Sequence, residues 1–167
     1  IPPGDHTLTL TYTPTSWLPD EPSSYSIGGK PWTPKNYNGR YQGQVMLRTA
    51  LEQSLNAATV SLAMAVGVNK IIPTLRSLGV TSPLKPYPSL ALGAFEVTPM
   101  ELTGAYATLD NDGQKPHLLS LKEVVTEAGE KQQQRHVEMV SVTSAAKCFI
   151  ITNLLEGVVE EGTATIL

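Results

Sequence analysis

Ser54 and Asn56 lie within ALEQSLNAATV, residues 50–60, a stretch that otherwise reads as an apolar, alanine-rich helix. Serine and asparagine side chains compete for nearby backbone hydrogen bonds and weaken a helix interior. The pattern therefore indicates either a structural break in the helix or the presentation of polar groups. A hydroxyl can relay a proton, and a carboxamide can both donate and accept hydrogen bonds. On a turn between two helices, this Ser-x-Asn pair would direct both groups into one groove.

Two Ser-x-x-Lys sequences offer a different chemistry, because a lysine three residues after a serine lies on the same helix face and can act as its base. They are SPLK at 82–85 and SAAK at 144–147. About one chance match is expected in a chain of this length. The first is followed by Pro86 in a predicted loop, and Ser144 suits the N-cap of the last predicted helix. We therefore expect neither serine to be a nucleophile.

The sequence offers little support for metal, phosphate or thiol chemistry. His6, His117 and His136 have no carboxylate or cysteine partner at ligand spacing, so we expect structural or exposed histidines and no metal site. No glycine-rich phosphate loop is present, and the carboxylates are scattered. The single cysteine, Cys148, excludes an intrachain disulfide and a zinc cluster, and its apolar neighbours predict a buried, inert thiol.

The composition is that of one globular domain with few charges: 167 residues, 41% hydrophobic and 16% charged. A net charge of −3 without a Lys/Arg cluster argues against a nucleic-acid partner. No apolar run has the length of a membrane span, and no signal peptide is visible. Because the chain begins at Ile1 without a methionine and stops within GTATIL, we expect it to be a piece of a longer polypeptide.

The elements that must position these groups are predicted from hydrophobic periodicity and from start and stop signals. The clearest start has Thr98 as N-cap, Pro99 at the first helical position and Glu101 closing a capping box. Residues 14–43 are rich in proline and glycine and predict an ordered loop. The predicted helical segments are 45–67, 69–80, 98–113 and 143–162; a hairpin spans 118–137 and turns at 127–130, and a short strand covers 7–13.

Longer segments resemble the transpeptidase domain of class A penicillin-binding proteins, the bifunctional peptidoglycan synthases. The resemblance rests on three segments in the family's order, which are WTPKNYNGRYQGQVMLRTALEQSLNAATVSLAMAVGV (32–68), LGVTSPLKPYPSLALGAFEVTPMELTGAYATLDNDG (78–113) and VVEEGTA (158–164). Such transpeptidases are similar to serine β-lactamases in using Ser-x-x-Lys, Ser-x-Asn and Lys-Thr-Gly, in that order. Ser54 and Asn56 match the second element, and both SPLK and SAAK follow it, out of order.

The resemblance implies that residues 1–167 are a partial transpeptidase domain that lacks the first and third elements. We expect the nucleophilic serine just before Ile1 and the Lys-Thr-Gly sequence just beyond Leu167. The parent domain would be α+β, with an antiparallel sheet covered by helices. This fragment would be mostly α-helical with one peripheral β-hairpin.

The reaction that the resemblance implies is acyl transfer between peptidoglycan stem peptides that end in D-Ala-D-Ala. Ser54 would hydrogen-bond the lysine base and help return a proton to the leaving amine, while Asn56 would hold the substrate's amide carbonyl. β-Lactams would acylate the same nucleophilic serine. No metal or organic cofactor is implied, and the partners would be stem peptides, β-lactams and the rest of the parent chain. The parent would act on the extracytoplasmic, periplasmic side of the cell envelope, anchored in the membrane by another segment.

Two alternatives stay open from the sequence. One is a D,D-carboxypeptidase or β-lactamase-like hydrolase, in which water replaces the amine as acceptor. The other is a non-catalytic helical module that binds a partner or a cell-wall peptide. For the transpeptidase fragment itself, we expect the 167-residue chain alone to be inactive.

Overall fold

Five α-helices and four short antiparallel strand pairs form the part of the chain that the computed structural model describes, residues 12–119, 123–126, 129, 131–134 and 138–165. The helices are α1 (Leu47–Glu52), α2 (Asn56–Val66), α3 (Val68–Ser77), α4 (Pro99–Asp110) and α5 (Ala145–Glu160), with a 3₁₀ helix at Pro88–Leu92. The strands are β1 (Trp17–Asp20), β2 (Tyr25–Ile27), β3 (Lys30–Trp32), β4 (Gly43–Met46), β5 (Gln114–Pro116), β6 (Glu123–Val125), β7 (Lys131–Gln134) and β8 (Met139–Ser141).

The loop predicted for residues 14–43 is wrong in part, because this region contains β1, β2, β3 and the start of β4. β1 pairs with β4, which is distant in sequence, so local turn residues do not reveal the pairing. β2 and β3 form a hairpin through Gly28 and Gly29, whose positive φ angles of 58° and 82° suit a two-residue turn. The first predicted helix also begins two residues late, at Leu47, since Val45 and Met46 belong to β4.

The predicted helices and the predicted hairpin are otherwise confirmed. Thr98 caps α4, and both hydrogen bonds of the capping box with Glu101 are present. The hairpin is the β6–β7 pair, with Glu123 opposite Gln134. Most of its predicted turn, and residues 7–11 of the predicted strand, lie outside the described residues. The other strand pairs, β1–β4, β2–β3 and β5–β8, are additions to the single predicted hairpin.

The main hydrophobic core lies under the junction of α1 and α2. It consists of Leu18 from β1, Val45 from β4, Ala50 from α1, and Leu55 and Ala58 from the start of α2, with Tyr12, Leu47 and Leu62 packed against it. Burial of these apolar side chains fixes the β1–β4 pair against both helices. Leu55, the central residue of Ser-x-Asn, is only 4% exposed, so the core anchors the tripeptide at its middle.

No helix of the described ranges is long and apolar enough by itself to cross a membrane. α2 and α3 reach the necessary length and composition only together, as a pair bent by 90°. The bend falls at Gly67, whose φ angle of 95° favours glycine.

Candidate functional site

Ser54 lies at the junction between α1 and α2, as the polar interruption predicted. Its amide donates to the Leu51 carbonyl at 3.1 Å, and the Leu55 amide donates to the Ala50 carbonyl at 2.9 Å. This pair of bonds is the Schellman arrangement that ends a helix, and Leu55 and Ala50 both belong to the main hydrophobic core. Ser54 occupies the left-handed position of this motif, at a φ angle of 52°, where glycine is usual.

The Ser54 side chain is exposed and faces the segment that follows α5. Its hydroxyl oxygen lies 3.3 Å from the hydroxyl oxygen of Thr163. The Thr163 amide donates to the Glu52 carbonyl at 3.0 Å, which holds this segment against the end of α1. The structure therefore presents the Ser54 hydroxyl on the surface with a second hydroxyl beside it. That Ser54 faces a groove stays a prediction.

Asn56 is the first residue of α2, and its side chain is half-buried. The side-chain nitrogen donates to the Lys35 carbonyl at 2.8 Å. A primary amide has two N–H groups and one acceptor oxygen. Among the described residues, Lys35 is the single hydrogen-bond partner of this side chain. One N–H group and the amide oxygen are thus left for another partner.

SPLK does not form a serine–lysine pair in this structure. The Ser82 hydroxyl donates to Glu101 at 2.6 Å, and the Lys85 ammonium lies 5.9 Å from the centre of the Tyr87 ring. Glu101 also accepts hydrogen bonds from Thr81 and Thr98. Hydrogen bonds from Ser82 and Thr81, followed by those from Thr98, hold the pKa of Glu101 well below its ordinary value. Ser82 therefore serves to connect α4 with the loop before it.

SAAK starts at the N-cap of α5, where the sequence predicted Ser144 to lie. The Ser144 side chain makes no capping hydrogen bond, although its carbonyl accepts the first bonds of the helix. The neighbouring Cys148 is buried, as predicted. Burial, with a smaller contribution from the negative charge of Asp112, raises the pKa of the Cys148 thiol. A thiol with a raised pKa is a weak nucleophile.

In the described ranges, no group of three or more His, Cys, Asp and Glu side chains could hold a metal ion. His117 lies just after β5, and its amide donates to the Glu138 carbonyl at 2.8 Å. His6 and His136 lie outside the described residues.

Three residues around Ser54 and Asn56 were not identified from the sequence. They are Thr163, beside Ser54, and the buried pair Asp20 and Asn36, beside the first turn of α2. All three are distant from residues 54–56 along the chain, and threonine, aspartate and asparagine are common in turns. Asn36 and Thr163 do lie within the segments that resemble the family, residues 32–68 and VVEEGTA, but their residue types and spacing do not mark them as site residues.

The comparisons with known proteins agree on one family. A family model described as the penicillin binding protein transpeptidase domain matches residues 11–167. Penicillin-binding protein 1B of Vibrio cholerae is 36% identical over 140 residues, which cover 83% of this chain and 18% of that protein. Penicillin-binding protein 1A of Aquifex aeolicus is 39% identical over 136 residues, which cover 81% of this chain and 19% of that protein. The chain thus spans about a fifth of the length of these relatives.

Solved structures show the same fold. Penicillin-binding protein 1A from Haemophilus influenzae superposes with a TM-score of 0.86 at 24% identity, over 93% of this chain and 29% of that one. Penicillin-binding protein A from M. tuberculosis, in an imipenem acyl-enzyme complex, gives a TM-score of 0.77 at 21% identity, over 90% of this chain and 40% of that one. The described helices and short strand pairs are thus a mostly helical portion of this α+β fold.

Proposed function

Because the chain belongs to the penicillin-binding protein transpeptidase family, in its class A branch, we propose that it is part of a peptidoglycan D,D-transpeptidase. Residues 1–167 form the central part of the transpeptidase domain in this proposal. The Ser-x-x-Lys element precedes residue 1 and the Lys-Thr-Gly element follows residue 167, since the printed sequence contains neither at its place in the family's order.

The parent enzyme transfers an acyl group between stem peptides in two steps. Its nucleophilic serine attacks the carbonyl carbon of the D-Ala-D-Ala amide, and D-alanine leaves as the amine after it receives a proton. An amino group of a neighbouring stem peptide then attacks the acyl-serine ester and releases the serine. β-Lactams enter at the first step, and the opened ring stays attached as the acyl group. The substrates place this reaction in the cell envelope, on its extracytoplasmic side.

In this proposal Ser54 supplies a hydroxyl that accepts a hydrogen bond from the lysine base and passes a proton to the departing amine. Asn56 supplies an N–H group to the substrate's amide carbonyl. The hydrogen bond from Asn56 to the Lys35 carbonyl supports this role, because it fixes the orientation of the amide and leaves one N–H group for the substrate. A fixed donor stabilises developing charge better than a mobile one.

The observation that carries the proposal is the left-handed backbone of Ser54. A serine in this conformation costs about 1 kcal/mol relative to glycine. Strain of this kind is retained where it serves function, and here it presents an exposed hydroxyl next to the buried Leu55 and the oriented Asn56.

The test is the second-order rate constant for acylation of the complete parent protein by a fluorescent penicillin. We expect Ser54→Ala and Asn56→Ala each to slow acylation by a factor on the order of ten to a thousand, as for loss of one oriented hydrogen-bonding group. Asn69→Ala is the matched control, because Asn69 is also an asparagine in the first turn of a helix, α3, and is exposed.

Unchanged acylation in both variants would contradict the roles of Ser54 and Asn56. The same assay separates a β-lactamase-like hydrolase from a transpeptidase, because the acyl-enzyme of a transpeptidase persists whereas such a hydrolase releases the label within the experiment. Failure of the complete parent to bind penicillin at all would favour a non-catalytic module.

A further inference from the structure

Asp20 and Asn36 form a buried polar pair beside the first turn of α2. Asp20 is 0% exposed and Asn36 is 4% exposed. A buried carboxylate is costly unless hydrogen bonds compensate it. Asn36 donates to both Asp20 oxygens at 2.9 Å, and the Gln42 amide donates to one of them at 2.8 Å. In the described ranges no cation pairs with Asp20, so these neutral donors hold the carboxylate.

The carboxylate fixes the direction of the Asn36 amide. A carboxylate only accepts hydrogen bonds, so the NH₂ group of Asn36 must face Asp20. The same nitrogen also donates to the Arg40 carbonyl at 2.9 Å. The oxygen of the Asn36 amide is therefore directed to the opposite side, where it accepts the Ala57 amide at 3.2 Å.

This bond replaces a missing helix cap. Leu55 is the N-cap residue of α2 and provides no side-chain acceptor, whereas N-cap side chains usually bond the amide of the second or third helical residue. Ala57 is the second residue of α2, and Asn36 supplies the acceptor from another segment. Meanwhile the carbonyl of the preceding residue, Lys35, accepts the Asn56 side chain at 2.8 Å.

Residues 35 and 36 thus hold Asn56 from two sides. The Lys35 carbonyl accepts a hydrogen bond from the Asn56 side chain, and the Asn36 side chain accepts one from the next backbone amide, that of Ala57. We propose that Asn36, oriented by Asp20, is a positioning residue that sets the direction of the Asn56 amide for acyl transfer. This inference rests on the proposed function, since it assigns Asn36 a role through Asn56. Asn36 itself touches no reacting atom in this account.

The test uses the complete parent protein and saturation kinetics with a penicillin, which separate binding from the acylation step. We expect Asn36→Ala to lower the limiting acylation rate on the order of ten- to a hundred-fold, as small misplacements of a catalytic group do, with a smaller change in binding. Asn38→Ala is the matched control: Asn38 lies in the same loop, is exposed, and bonds only the Arg40 amide among the described residues.

Two further variants separate positioning from stability. Asn36→Ala combined with Asn56→Ala should acylate no more slowly than Asn56→Ala alone, because Asn36 acts through Asn56; a merely structural role would make the two losses multiply. Asp20→Asn keeps the size of the buried side chain and removes its charge, so an NH₂ group of residue 20 meets that of Asn36 and the direction of the Asn36 amide is no longer fixed. We expect this variant to fold even if Asn36→Ala does not, because it removes a buried charge, and to lower the limiting acylation rate several-fold.

A normal limiting rate in folded Asn36→Ala, or multiplied losses in the Asn36/Asn56 double variant, would overturn the positioning role. A folded Asp20→Asn variant with the limiting acylation rate of the parent would also overturn it. These outcomes are distinct from failure of the proposed function, in which Asn56→Ala itself acylates normally.

Discussion

Two residues other than glycine have a left-handed backbone among the described residues, Ser54 and Asp112, both at a φ angle of 52°. Aspartate tolerates this conformation because its side chain can bond the local backbone, and Asp112 lies in the turn after α4. Serine is less suited to it, and the Ser54 hydroxyl instead meets Thr163, from a distant segment. The left-handed backbone of Ser54 therefore places its hydroxyl beside that of Thr163.

Two substitutions of Ser54 distinguish the effect of losing its hydroxyl from the effect of relieving its backbone strain. Both Ser54→Gly and Ser54→Ala remove the hydroxyl, so we expect both to slow acylation of the complete parent protein to a similar degree. Only glycine relieves the strain, so Ser54→Gly should be more stable than Ser54→Ala by about 1 kcal/mol. Urea unfolding of the two variants checks this difference. Equal stability would show that the left-handed backbone of Ser54 carries no strain.

At single residues, the sequence predicted polar groups but not their partners. Ser54 and Asn56 were identified because they interrupt an apolar run, which is a local pattern. The contact between Ser54 and Thr163 spans 109 residues, and the bond between Asn36 and Ala57 spans 21. Both depend on how α1, α5 and the loop after β3 pack, and local patterns do not contain this information.

Among the elements, the contact between the end of α1 and the segment after α5 bears most directly on the site. The Thr163 amide donates to the Glu52 carbonyl, and a Cβ added at Gly162 would lie 2.5 Å from that carbonyl oxygen and 2.8 Å from the Val158 carbonyl oxygen. Backbone atoms at these distances cannot move aside without displacing a helix end. Glycine at position 162 is therefore what allows Thr163 to reach Ser54.

We expect Gly162→Ala to destabilise the complete domain by about 1–3 kcal/mol, the usual cost of overpacking, and to slow acylation by displacing Thr163. Gly104→Ala is the matched control. Its Cβ would meet only the Leu118 side chain, at 3.4 Å, and alanine favours the interior of α4 by up to about 1 kcal/mol. Chemical unfolding of both variants makes the comparison. A Gly162→Ala domain as stable as the Gly104→Ala domain would refute the close packing of α1 against the end of α5.

Elements with strong local signals were predicted, and those that depend on distant pairing were not. Thr98, Pro99 and Glu101 lie within four residues and together predict the start of α4. The structure confirms the capping box. Strand β1 alternates in burial, but its apolar Trp17 is exposed and its charged Asp20 is buried, so the sequence does not show the apolar–polar alternation typical of a strand. The β2–β3 hairpin did have a local signal, the Gly28–Gly29 pair, which is a known two-residue hairpin turn.

At the scale of the whole molecule, the described residues contain the Ser54–Asn56 turn but no serine–lysine pair arranged for nucleophilic attack. Ser82 is bonded to Glu101, and Ser144 begins α5, so neither is prepared as a nucleophile. Hydroxyl groups need an adjacent base to attack an amide or a β-lactam at neutral pH. In the proposed function, this chain contributes Ser54 and Asn56, and another segment of the parent contributes the serine that becomes acylated.

Peptide mapping of the penicilloyl adduct in the complete parent protein tests this division most directly. After incubation with penicillin and proteolysis, mass spectrometry identifies the serine that carries the acyl group. We expect one adduct, on a Ser-x-x-Lys serine that precedes residue 1, and none within residues 1–167. An adduct on Ser82 or Ser144 would contradict the assignment of those sequences as structural, and an adduct on Ser54 would contradict its role as a proton relay.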